Sequence, residues 1–269
     1  MSVVAVLQGT EAEDRQTTLA AIEIARRLNT PVTGLFALPD PMAEMAAVSP
    51  AATQSVIDMQ AKMTKIAKAT FHDATSTGAH GLDCDFFHEV NTVERASANA
   101  ATLADAVVFP RAAATPAAPL YMAFEHVMME ARLPLVLAGT DSIPTGPVII
   151  AWDGSNGASR AVRFHLPLIR AFGDVIIAQA PKDLERDAAR PVAEPGTLED
   201  WLKRHDVNVK VAAIEGDVAG GLLALAKGSD AAMIVAGAYG HSRLGERLFG
   251  GTTRHLLSAK DAPALALAR

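Results

Sequence analysis

The two halves of this chain spell out the same order of strands and helices, and that repetition confines it to an architecture built twice. VVAVLQGT at Val3–Thr10 and VIIAWDGS at Val148–Ser155 are short apolar runs closed by a turn-forming glycine and a hydroxyl residue. A helical pattern follows each. Ala21, Ile24, Ala25 and Leu28 fall at i, i+3, i+4 and i+7. In the second half Ser155 is placed to cap a helix through RAVRFHLPLIRAF, with a break predicted at Pro167. Later elements pair as well. ADAVVFP (Ala104–Pro110) matches SDAAMIVAG (Ser229–Gly237), and LPLVLAG (Leu133–Gly139) matches APALALA (Ala262–Ala268). Helical stretches at Tyr121–Ala131 and Thr253–Ala259 precede the last pair.

The offset between matching residues is 145 at Gln8/Asp153, 125 at Asp105/Asp230 and 129 at Pro134/Pro263. The first half therefore carries 20 extra residues in its middle, in the helical region Met42–Phe71 and its flanks, and lacks four before its last strand. Apolar strands alternating with helices indicate βαβ units, hence parallel sheets covered by helices. Ligands of such sheets bind at the carboxyl ends of the strands, where the strand order reverses. The expected fold class is α/β, with two tandem doubly wound parallel-sheet domains at residues 1–140 and 146–269. GTDSIPTG (Gly139–Gly146) is the linker.

Composition narrows the function. With 24 basic against 30 acidic residues the net charge is −6, and only 5% of the 269 residues are aromatic. A dedicated nucleic-acid binder, with a basic face and stacking platforms, is not expected. A single cysteine, Cys84, excludes an intrachain disulfide framework and a cysteine-cluster zinc site; in GLDCDFF it reads as a buried strand thiol. MSVVAVLQGT lacks the basic lead and long apolar core of a signal peptide, and no apolar run is long enough to span a bilayer. The expectation is a soluble, cytoplasmic protein without membrane partners.

The stretch GAYGHSRLGERLFGGTTRHLL is the most informative. Gly237 closes the apolar strand MIVA, Gly240 follows three residues on, and Gly250 opens a helix with Gly251, Thr252 and Thr253. Glycine admits a close backbone approach, and a helix N-terminus presents unpaired N–H groups that suit phosphate. The same glycines are equally consistent with tight strand–helix packing and no ligand.

Gly-x2-Gly-x9-Gly after an apolar strand and before a helix resembles the universal stress protein family. Asp153-Gly154-Ser155 is similar to the first-strand motif of that family, and the duplication resembles its tandem members. The resemblance implies two domains of the universal stress fold (the adenine-nucleotide α-hydrolase-like fold) about a pseudo-twofold axis, an intrachain pseudo-dimer, with a further homodimer left open. It also implies ATP or a related adenine nucleotide in the second half, accompanied by Mg2+, and a stress-response role in sensing or regulation. Asp153 would stand beside the nucleoside, and the backbone at Ala180 would read the base. Gly237, Gly240 and Gly250 would cover ribose and phosphates, with His241 in the same loop. The nucleotide-binding form of the family has Ser or Thr directly after the third glycine. Here Gly251 stands there and Thr252 comes one place later. The rival reading is a nucleotide-independent scaffold of the same fold.

The first half keeps the layout without the motif. Gln8 replaces the carboxylate, and Pro110–Pro116 replaces the glycine loop. It is expected to be nucleotide-free. No serine-elbow, P-loop, zinc-protease or dinucleotide motif is present, and no residue is placed as nucleophile or base, so any ATP hydrolysis should be slow. His165 reads as a core histidine. Methionines concentrated in the first half, among them Met42, Met59 and Met63, leave room for a protein partner. Lys182–Gly196 reads as a solvated loop.

Overall fold

In a computed structural model, residues 2–44, 50–139, 143–180, 194–238, 251–259 and 262–269 are described. The chain divides into two compact units, Met1–Ala138 and Gly139–Arg269. Unit 1 holds strands β1 (Val3–Leu7), β2 (Val32–Leu38), β3 (Cys84–Val90), β4 (Ala106–Phe109) and β5 (Leu135–Leu137). Its helices are α1 (Glu11–Leu28), α2 (Pro41–Glu44), α3 (Pro50–Gly78), α4 (Val93–Ala101) and α5 (Tyr121–Glu125), the last continuing as a π turn, His126–Glu130. Unit 2 holds β6 (Val148–Ala151), β7 (Asp174–Gln179), β8 (Asn208–Ala213), β9 (Met233–Gly237) and β10 (Ala264–Ala268). Its helices are α6 (Asn156–Phe164), α7 (Leu166–Phe172), α8 (Pro195–Lys203), α9 (Val218–Gly228) and α10 (Gly251–Ser258).

Strand order is β3-β2-β1-β4-β5 in unit 1 and β10-β9-β6-β7-β8 in unit 2, and every pairing within a unit is parallel. Both are doubly wound. In each, the chain starts in the middle strand, steps twice to one side, then returns to the other. The middle strands are buried on both faces, as VVAVL in β1 illustrates. Among the described residues the third strand of each unit pairs on one side only, and its positions are half-buried or exposed. Cys84 begins such a strand and is therefore half-exposed rather than buried, with β2 as the neighbour of β3 among the described residues. Pro167 ends one helix and starts the next: α6 stops at Phe164 and α7 begins at Leu166. His165 falls in the break, buried, and donates its Nε2–H to the Leu267 carbonyl at 3.1 Å.

The ladders correct the sequence alignment of the halves. The offset is 145 at β1/β6 (Val3 and Val148), 143 at β2/β7 (Val32 and Val175) and 125 at β3/β8 (Cys84 and Val209). The extra 18 residues of unit 1 (143 less 125) thus lie between β2 and β3, where α2 and the 29-residue α3 are found. At β4/β9 the offset is 127: the Asp105 N–H donates to Ser2 and the Ala232 N–H to Pro147. Matching Asp105 with Asp230 misplaces the strand by two. The two acids do different work, since Asp105 accepts a bond from the Thr30 hydroxyl while Asp230 takes a positive φ of 50° in a turn. Pro110 is therefore the counterpart of Gly237. The last strands, read through Val136 and Ala266, differ by 130, so unit 1 lacks three residues there and not four.

One of the sequence expectations falls largely outside the described residues. Of the loop expected at Lys182–Gly196, residues 182–193 lie outside; Pro195 and Gly196 are helical, forming the first turn of α8. Among the described residues, no helix is long and apolar enough to cross a membrane.

Candidate functional site

In unit 2 the strand order reverses between β6 and β9, which pair from Val148–Met233 to Ile150–Val235. A crevice at that reversal is where a doubly wound sheet binds ligands. The first side of the crevice is built by the turn after β6. Trp152 keeps the sheet going by one bond, its N–H donating to Ala178 at 2.9 Å. Asp153-Gly154-Ser155 then turns the chain, with Gly154 at φ 71°. The Asp153 Oδ1 accepts from the Ser155 N–H at 2.9 Å, and the Ser155 Oγ accepts from the Ala158 N–H at 3.1 Å, capping α6. A carboxylate is thereby fixed at the carboxyl end of the first strand, directly before a helix N-terminus. The buried Gly154 N–H meets no acceptor among the described residues.

The second side is the end of β9. A Cβ on Gly237 would stand 2.6 Å from the Gly157 carbonyl carbon, 2.7 Å from the Ala158 nitrogen and 2.9 Å from the Gly157 oxygen. Strand β9 and the first turn of α6 thus touch backbone to backbone, which only glycine allows. Packing against α6 by itself requires glycine at position 237. Gly157, its partner, was missed in the sequence, where it reads as an ordinary residue early in a helix.

The other sequence-derived residues are placed as follows. Gly251 and Thr252 are exposed at the start of α10, with open space where a Gly251 side chain would be. Ala180 is buried directly after β7. Beside it Gln179 is also buried, and its Nε2 finds no partner among the described residues. Gly240, His241 and Gly250 lie outside the described residues. The structure brings Asp153, Gly154, Ser155 and Gly237 together around the crevice. Among the described residues no group of three or more His, Cys, Asp or Glu is placed to hold a metal.

The corresponding place in unit 1 is filled. Gly9, counterpart of Gly154, takes φ 84°. The Asp14 carboxylate, reaching back from α1, accepts from the Gln8 N–H at 2.7 Å and the Gly9 N–H at 2.9 Å. Burial pushes the Asp14 carboxyl up to about 6, although those two N–H groups favour its charged form. Gln8 donates its Nε2–H to the Thr10 hydroxyl at 2.9 Å. Over the turn lies Met63 of α3, whose Cβ is 2.9 Å from where a Gly9 side chain would start. The loop after β4 is a 3-10 turn, Arg111–Ala114, with the half-buried Arg111 lowered by burial to about 10.

Residues 145–267 match the model of the universal stress protein family. The second unit is a universal stress protein domain. The whole chain is similar in fold to a universal stress protein from Archaeoglobus fulgidus, with a TM-score of 0.63 and 15% sequence identity over 100% of this chain and 98% of that one. At that identity the likeness is one of fold. No curated protein sequence matches the chain. The universal stress domain contains the crevice with the Asp153 turn, whereas the family model does not extend over the filled crevice of unit 1.

Proposed function

We propose that the universal stress domain of unit 2 binds ATP or a related adenine nucleotide, one per chain, and that the protein acts in nucleotide-dependent sensing or regulation under stress. The observation that carries this reading is the Asp153 turn at the strand-order reversal, with its carboxylate accepting from the Ser155 N–H directly before the N-terminus of α6. Asp153 would accept hydrogen bonds from the nucleoside. The backbone following Gly237 and the N-terminus at Gly251 would face the phosphates, and Mg2+ would accompany them. Gly251 in place of a hydroxyl residue removes one side-chain hydrogen bond, which costs roughly 1 kcal/mol. Among the described residues no side chain of the crevice is placed as a nucleophile or general base, so any ATP hydrolysis should be slow. The first unit, its turn closed by Asp14 and covered by Met63, would take no nucleotide.

Calorimetry of the full chain with Mg-ATP tests this. One site per chain is expected, weakened roughly tenfold by Asp153→Ala and unchanged by Gln8→Ala. Two equivalent sites, or none at millimolar nucleotide, would overturn the assignment.

A further inference from the structure

Unit 2 contains a second concavity, on the flank of α6 away from the reversal crevice. It is a groove of about 520 Å³ between α6 and α8. Asn156, Ser159, Arg160 and Arg163 line it from α6; Thr197, Leu198 and Trp201 line it from α8, with Arg204 at that helix's end and Trp152 at its floor. No acidic residue is among the described residues that line it. Both tryptophans of the chain are here, together with three arginines, in a protein whose net charge is −6.

The arginines decide what the groove wants. Among the described residues none of Arg160, Arg163 and Arg204 has a carboxylate partner, whereas their neighbours Arg170 and Lys203 are paired with Asp206 and Glu199. Unit 1 shows what this helix pair does when it is complete. Arg15, the counterpart of Arg160 at an offset of 145, pairs with Asp73 of α3, and α3 packs along α1. In unit 2 the helix that would bring such a carboxylate is only nine residues long. The guanidinium position of Arg160 is retained, and no carboxylate among the described residues pairs with it.

We propose that this groove is a binding site for a small aromatic anion: a planar one- or two-ring ligand carrying a carboxylate or sulfonate. The indoles of Trp152 and Trp201 offer the planar apolar contact. Arg160, Arg163 and Arg204 offer the fork-shaped donors that match a carboxylate. Asn156, Ser159 and Thr197 complete a polar rim, and the volume lies within the range of small-molecule sites. Most of its side chains lie along α6 and α8, while Trp152 directly precedes Asp153, so competition with Mg-ATP is what separates this groove from the nucleotide reading.

The test uses the full chain and 2-naphthoate, with 2-naphthamide as the uncharged comparator and inorganic phosphate as the anion without a ring. Because both tryptophans line the groove, tryptophan fluorescence reports on a ligand bound in it. Saturable quenching by 2-naphthoate is expected, with 2-naphthamide bound roughly tenfold more weakly and phosphate giving no change. Arg163→Gln and Arg204→Gln should each weaken 2-naphthoate several-fold with an unchanged circular dichroism spectrum, and Arg170→Gln, whose arginine is already paired, should not. Mg-ATP should leave the titration unmoved. Four results would each overturn the proposal: no saturable quenching at millimolar 2-naphthoate; equal binding of the amide; affinity unchanged in both arginine variants; or displacement by Mg-ATP, which would make the groove part of the nucleotide site.

Discussion

The turn after β1 and the turn after β6 occupy the same place in their units and have nearly the same backbone, yet they place their carboxylates differently. Gly9 and Gly154 both take positive φ, at 84° and 71°. In unit 1 the acid is Asp14, one turn into the helix; it reaches back and occupies the Gln8 and Gly9 N–H groups itself. In unit 2 the residue at the Asp14 position is Ser159, which faces the α6–α8 groove, and the acid is Asp153, on the turn. One turn is closed by its own helix and roofed by Met63; the other holds a half-buried carboxylate at the strand-order reversal. A duplicated fold can thus close or open the turn after its first strand by moving one carboxyl group a few residues and lengthening one helix. Neither change disturbs the sheet.

The largest effect is expected where the two units differ at the end of their fourth strands. Gly237→Ala places a Cβ 2.6 Å from the Gly157 carbonyl carbon, and backbone cannot swing aside as a side chain can. Unit 2 should lose roughly 3 kcal/mol or more, the upper end for overpacking. Gly157→Ala meets only the Ser155 Oγ at 3.6 Å and the Gly237 Cα at 4.0 Å and should cost well under half as much. Urea unfolding followed by tryptophan fluorescence reads unit 2 selectively, since Trp152 and Trp201 both belong to it. Equal midpoints for wild type and Gly237→Ala would mean that β9 and α6 separate readily.

The units should also answer pH with opposite signs. Asp14 titrates at about 6 in the folded protein against 3.8 for a free side chain, because burial disfavours its charge. Between those values the folded state holds the extra proton, so Asp14's contribution is complete below about pH 4 and is lost as pH rises through 6. His165 is lowered from 6.5 to about 4, again by burial, with the bond to Leu267 opposing. Here the unfolded state holds the extra proton, so stability is complete above pH 6.5 and falls as pH drops toward 4. Each window is worth on the order of 2–3 kcal/mol. Hydrogen exchange resolved by peptide should show unit 1 gaining protection relative to unit 2 as pH falls from 6.5 to 4.5. Asp14→Asn should flatten the first trend and His165→Gln the second. Parallel trends in both units would refute this account of the two buried groups.

The fold was legible because its signals are periodic. Apolar strands, the Ser155 cap and the Pro167 break each act within a few residues, and each stands where the pattern puts it. The alignment of the halves was legible only to within two residues at the fourth strand, because Asp105 and Asp230 look alike and do unlike things. Tertiary contacts were not legible at all. Nothing local distinguishes Gly157 from any helical glycine until β9 is laid against it, and nothing marks Met63 as a roof until α3 crosses the β1 turn. Asp14 in a helix's first turn looks like a favourable charge near the helix N-terminus, and only its burial reveals that it closes the loop. The exposed third strand, and with it Cys84, follows from which strand ends up at the side of the sheet, a property of the order and not of the strand.

The smallest expected effect separates the two helix caps. Ser155 caps α6 through its side chain, accepting from the Ala158 N–H at 3.1 Å. Its counterpart Thr10 takes the same extended backbone before α1 but makes no such bond; its hydroxyl instead donates to Glu13 and accepts from Gln8. Removing a capping hydroxyl costs about 1 kcal/mol, since it strands a helix N–H that otherwise has a partner. Ser155→Ala should therefore lower the midpoint of the unit 2 transition by that amount. Thr10→Ala strands no helix N–H but takes the partner of the buried Gln8 Nε2, so unit 1 should shift by about 0.5 kcal/mol, less than the capping loss in unit 2. Comparing the two variants by tryptophan fluorescence for unit 2 and by peptide-resolved hydrogen exchange for unit 1 sets cap against cap in one protein. Equal losses would show that Thr10 stabilises α1 as much as Ser155 stabilises α6. The closed turn of unit 1 would then depend on its hydroxyl and not on the Asp14 carboxylate alone.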